Sequence, residues 1–125
     1  MRQISILIVN DDLNSCKLFK TYCTMAGYDA WSVESAELAL AQLATVHPDL
    51  IILDMKLPGM NGMTFLRHLK ADPAMRDIHV VITTVYHEHY DRKQVMEAGA
   101  DGLLIVPTQK KLIMELIANT ISESL

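Results

Sequence analysis

Short apolar runs alternate along the chain with longer stretches in which apolar positions recur every third or fourth residue. Residues 4–9 read as a buried strand. Across 13–26, Leu18, Phe19, Tyr22, Met25 and Ala26 fall at helical spacing, and Gly27 closes the helix. Residues 29–33 form a short second strand. Ser35 caps a second helix with an inner face of Ala36, Ala39, Leu40 and Leu43, and His47-Pro48 ends it. Residues 50–53 are apolar throughout, as in a strand covered on both faces. Gly62, Phe65, Leu66 and Leu69 mark a third helix, broken at Asp72-Pro73. A fourth strand covers 79–83. The fourth helix, about 88–98, has only a weak apolar stripe, mainly Val95 and Ala98, which implies a loosely held element. Gly99 ends it, and 102–105 form a fifth strand. Thr108 caps a last helix that buries Leu112, Ile113, Leu116, Ile117 and Ile121.

Five alternating strand–helix units predict an α/β fold: a parallel sheet with helices on both faces and right-handed crossovers. In the flavodoxin-like (βα)5 arrangement the strand order is 2-1-3-4-5, and ligands sit beyond the carboxyl ends of the strands where that order reverses, between strands one and three.

Two acids meet at that point. The apolar run Leu50-Ile51-Ile52-Leu53 ends in Asp54, and the run Ile6-Leu7-Ile8-Val9 stops at Asn10-Asp11-Asp12. A carboxylate at the mouth of a buried strand is costly unless it has partners or a task. Asp11 and Asp54 supply hard oxygen ligands of the kind Mg²⁺ takes, one or two carboxylates beside several waters, usually next to a phosphate. A carboxylate can also attack phosphorus and form an aspartyl phosphate. A hydroxyl on the same rim, Thr84 at the end of strand four, can hydrogen-bond a phosphoryl oxygen. Asp12 reads instead as a cap of the first helix.

Composition narrows the class. A chain of 125 residues, half of them apolar and about a fifth charged, fits one globular domain, 1–125. A net charge of −4 argues against direct nucleic-acid binding. No apolar stretch approaches the ~20 residues that span a bilayer, and no secretory signal precedes the first strand, so a cytoplasmic location away from membranes is expected. Cys16 and Cys23 lie about 10 Å apart along one helix, too far for a disulfide, and are expected as reduced thiols. The spacing of His87 and His89 does not put both on one helical face, against a metal pair there.

The residues resemble the receiver domains of two-component response regulators, chemotaxis-regulator-like, over nearly the whole chain. The matching pieces are residues 6–12, then 48–54 running into Leu57-Pro58-Gly59-Met60-Asn61-Gly62, then 81–84, then Gly99-Ala100-Asp101-Gly102. The resemblance implies that Asp54 is the phosphoacceptor for a histidine kinase or phosphotransfer protein. It implies Mg²⁺ as cofactor, held by Asp11, Asp54 and the backbone carbonyl of Lys56. Thr84 matches the hydroxyl residue that transmits the switch, while Thr83 is one residue off register. Signalling to a downstream protein is expected through helix four, strand five and helix five. Such a domain is not an enzyme beyond its own phosphoryl transfer and dephosphorylation.

Three positions depart from the family pattern. Val106 stands where a lysine usually precedes the proline after strand five and pairs with the phosphoryl group. Asn10 replaces the first of two acids, giving a weak or indirect metal contact. Leu103 replaces the usual aromatic switch residue. Losing one acid and one ammonium leaves the formal charge of the pocket unchanged, but a phosphoryl oxygen loses a charge-assisted bond of about 1.5–3 kcal/mol. Lys56 can reach the phosphoryl group from the solvent side, or can stay solvated, as the entropy of a long side chain favours; equal phosphoryl lifetimes in the wild type and Lys56→Ala would exclude the contact.

Two functions therefore stand open: a phosphorylation-dependent receiver, or a degenerate receiver that binds partners without phosphate. Aspartate-nucleophile phosphatases carry a second acid two residues after the nucleophile, where this chain has Lys56. A flavodoxin needs a phosphate-cradling loop after strand one, where Asn10-Asp11-Asp12 would repel phosphate.

Overall fold

The apolar runs become five strands, β1 (Ser5–Val9), β2 (Asp29–Val33), β3 (Leu50–Asp54), β4 (His79–Val85) and β5 (Gly102–Val106). They pair in parallel in the order β2-β1-β3-β4-β5, as the alternation predicts. The helices between them are α1 (Leu13–Met25), α2 (Ala36–Leu43), α3 (Gly62–Ala71), α4 (Arg92–Glu97) and α5 (Lys110–Ser122). This computed structural model describes residues 3–85 and 92–122. The expected start of the fourth helix, with His87, His89 and Tyr90, lies outside the described residues.

Alternate side chains of each strand feed two apolar layers. Leu7, Leu53 and Ile82 pack with Ala36, Phe65 and Val95 on the α2–α3–α4 face. Ile8, Ile52 and Leu104 pack with Phe19, Ile113 and Ile117 on the α1–α5 face. Central β1 and β3 are buried almost end to end, which holds their last residues at fixed positions beyond the sheet.

Three packing expectations need correction. The buried face of α1 is Cys16, Phe19 and Cys23, while Leu18 and Met25 are exposed. Positions 16, 19 and 23 share a helical face; Leu18 and Met25, seven apart, form a neighbouring stripe. Both cysteines are free and buried, and burial pushes the Cys23 thiol up to about 11. On α5, Ile113, Ile117 and Ile121 are buried as expected, but Leu112 is half exposed. Thr108 is not the cap of α5. The helix starts at Lys110, and the Gln109 carbonyl accepts the Ile113 N–H. Ser35 does cap α2, its hydroxyl accepting the Leu38 N–H.

Candidate functional site

β1 delivers Asn10 to the rim with only 7 % of its surface exposed. Its N–H donates to the Val33 carbonyl at 3.1 Å, its carbonyl accepts the Cys16 thiol, and its Oδ1 accepts the Asp12 N–H at 2.9 Å. The Asn10 amide thus braces the turn from inside, and Asp11 projects to solvent. Asp12 caps α1 as expected, accepting the Asn14 N–H and the Ser15 hydroxyl. The Ser15 bond holds its carboxyl below the usual carboxylate range.

Asp54 ends β3 half-buried, and its Oδ1 accepts the Lys56 N–H at 3.4 Å. The chain then turns sharply: Met55 is buried, and its N–H donates to the Thr83 carbonyl at 2.9 Å. Asp11, Asp54, Lys56, Pro58 and Thr84 line one open cleft of about 550 Å³. The topology therefore brings together the acids from β1 and β3 and the hydroxyl from β4.

Thr84 is 4 % exposed, and its Oγ1 has no hydrogen-bond partner among the described residues. Buried hydroxyls are ordinarily paired, and this unpaired one belongs to a residue that lines the acidic cleft. Thr83 is also buried, but strand alternation turns it to the other face, where it lines a second cavity of about 360 Å³. Val106 and Asp54 share that cavity with Phe19 and Ile113. The residue at the position of the usual lysine thus shares a cavity with Asp54 and offers apolar surface in place of a charge. Leu103 packs against the α2–α3–α4 layer.

The family model for the response regulator receiver domain matches residues 6–118. The chain belongs to this receiver family. It is 38 % identical over 102 residues to the response regulator PleD of Caulobacter vibrioides, covering 82 % of this chain and 22 % of PleD. It is 36 % identical over 113 residues to the phosphate regulon transcriptional regulatory protein PhoB of Escherichia coli, covering 90 % of this chain and 48 % of PhoB. The chain therefore spans about a fifth to a half of these two relatives. A signal receiver domain of a signal transduction histidine kinase from Syntrophus aciditrophicus superposes with a TM-score of 0.88 at 29 % identity, covering 95 % of this chain and 90 % of that one.

Some features of the receiver site escape a reading of the sequence. Glu37, on α2, accepts the Met60 N–H at 3.1 Å across the β3–α3 loop. Asn61 caps α3, its side chain accepting the Thr64 N–H. Gly62, read as part of a helical stripe, lies against the backbone of Asp54 and Met55. Asn61 carried a legible signal, an Asx residue just before a helical pattern. Glu37 carried none, since its partner lies 23 residues away.

Proposed function

We propose that this receiver accepts a phosphoryl group on Asp54 from a histidine kinase or phosphotransfer protein and changes partner binding in response. The observation that carries the reading is the cleft lined by Asp11, Asp54 and Thr84, the last with a buried hydroxyl that has no partner among the described residues. An Asp54 oxygen attacks the donor phosphorus as the bond from phosphorus to the donor nitrogen breaks, leaving an acyl phosphate. The Thr84 hydroxyl then donates to a phosphoryl oxygen, which draws β4 toward the modified residue. The domain turns over no other substrate.

Mg²⁺ suits the donor set. No group of three or more His, Cys, Asp or Glu side chains clusters among the described residues. Two carboxylates, the Lys56 carbonyl and waters are the hard-oxygen mixture that Mg²⁺ accepts. Asp11, Asp54 and Lys56 would hold it, with Asn10 acting indirectly through the Asp12 N–H. When bound, the ion neutralises charge on the transferring group. The downstream partner is proposed to dock on α4, β5 and α5, where Ile105 and Leu112 are half exposed. No described helix is long and apolar enough to cross a membrane; a cytoplasmic location is part of the proposal.

The direct test is mass spectrometry after acetyl phosphate and Mg²⁺, with Asp54→Asn as control. An adduct on the wild type alone supports the reading; none at any Mg²⁺ concentration supports a phosphate-independent interaction module instead.

Thr84 offers a second test, with effects of opposite sign. Replacing the unpaired hydroxyl by a methyl in Thr84→Val should raise unfolding stability by about 1 kcal/mol, read by urea titration. The same change should abolish the conformational response to phosphorylation, read from amide shifts on β4. A variant that loses stability would show the hydroxyl to be paired.

A further inference from the structure

The β3–α3 loop, 55–61, carries the Lys56 carbonyl and is clamped by a side chain from a different helix. Glu37, in the first turn of α2, lays its carboxylate on this loop from outside the acidic cleft. Its Oε2 accepts the Met60 N–H at 3.1 Å. The same oxygen lies so close over Gly59 that a Cβ there would stand 2.5 Å from it. Gly59 has φ +72°, so glycine serves both the left-handed turn and the approach of the carboxylate. On the other side Leu57 is buried, and the Gly62 N–H donates to the Met55 carbonyl at 2.9 Å.

Glu37 is placed to sustain this contact. Ser35 caps α2, and a carboxylate in the first turn of a helix is favoured by the helix dipole. The loop lies between two held ends: Met55, bonded to β4, and Asn61, the cap of α3. Between them, the Glu37 carboxylate reaches over from α2 and hydrogen-bonds the loop backbone at Met60. With that contact removed, the segment bearing Lys56 would sample more conformations, and presenting its carbonyl to a cation would carry an added entropic cost.

We propose that Glu37 is a positioning residue, which holds the β3–α3 loop so that the Lys56 carbonyl completes a Mg²⁺ site with Asp11 and Asp54. This rests on the reading of the cleft as a metal-dependent phosphoacceptor site. Glu37 acts through the loop and touches neither metal nor phosphate.

The test is a MgCl₂ titration of the ¹⁵N-labelled chain, following the amides of Asp11, Met55 and Lys56, alongside urea unfolding. Glu37→Ala should raise the Mg²⁺ Kd about three- to tenfold, the range expected for one lost hydrogen bond. Glu37→Gln keeps an acceptor for the Met60 N–H and should restore a Kd near that of the wild type. Lys70→Met serves as a control for stability alone. Its ammonium donates to the Arg76 and Ile78 carbonyls in the α3–β4 connection, away from the Lys56 loop. It should lower stability with no change in Kd. An unchanged Kd in Glu37→Ala overturns the proposal, as does a Glu37→Gln variant as weak as Glu37→Ala. A Kd raised equally by Lys70→Met also overturns it, because the effect would then follow stability. A wild type whose amides do not respond to Mg²⁺ overturns the metal-site reading itself, a result distinct from these.

Discussion

Replacing Val106 with Lys is expected to strengthen the coupling between phosphorylation and conformation by roughly ten- to a hundredfold. Val106 and Asp54 line the same cavity of about 360 Å³, so a lysine side chain has room to extend toward the phosphoryl group. Its stem would lie along Phe19 and Ile113, as long cationic side chains do on apolar surface. One charge-assisted hydrogen bond there contributes about 1.5–3 kcal/mol, and that energy is present only when the phosphoryl group is. The comparison is of unfolding free energy with and without beryllofluoride, a phosphoryl mimic, in the wild type and Val106→Lys. The increment on adding the mimic should be larger in the variant by about that amount. Equal increments would mean that Val106 leaves no contact missing.

Gly62→Ala is expected to destabilise the fold by about 3 kcal/mol and to slow phosphorylation of Asp54. Helix propensity alone argues the reverse, since Ala exceeds Gly by about 1 kcal/mol within a helix. The position overrides propensity. A Cβ at Gly62 would stand 2.5 Å from the Asp54 carbonyl oxygen and 2.8 Å from the Met55 Cα, both backbone atoms that cannot rotate aside. Relief requires moving α3 off the end of β3, and that shifts the residue that carries the chemistry. Urea titration and the rate of adduct formation read the two effects. A neutral or stabilising outcome would show that the junction of α3 and β3 can relax.

The sheet order and the meeting of Asp11 with Asp54 were legible because they rest on strong periodicity. The apolar runs of β1 and β3 are continuous, and the switch point of a doubly wound sheet follows from topology. Thr84 was legible from its place at the end of strand four and its match to the hydroxyl residue of the receiver family, and its lack of a partner became visible only with the side chains in place. Buried faces were less legible where hydrophobic size misled. Leu18, Met25 and Leu112 suggested core, while Cys16 and Cys23 fill it. The cap of α5 was misread because Thr108 is the better cap chemically, yet the helix begins one residue later than that cap would set. The contacts of Glu37 with Gly59 and Met60 join distant segments, and no local pattern encodes them.

The most direct test of a receiver that responds despite Val106 is a backbone-amide NMR spectrum of the wild type during turnover of acetyl phosphate with Mg²⁺. The expected result is an Asp54 adduct accompanied by shifts that extend from residues 54–57 through Thr84 into β5. An adduct whose shifts stop at residues 54–57, leaving Thr84 and β5 unmoved, would contradict it.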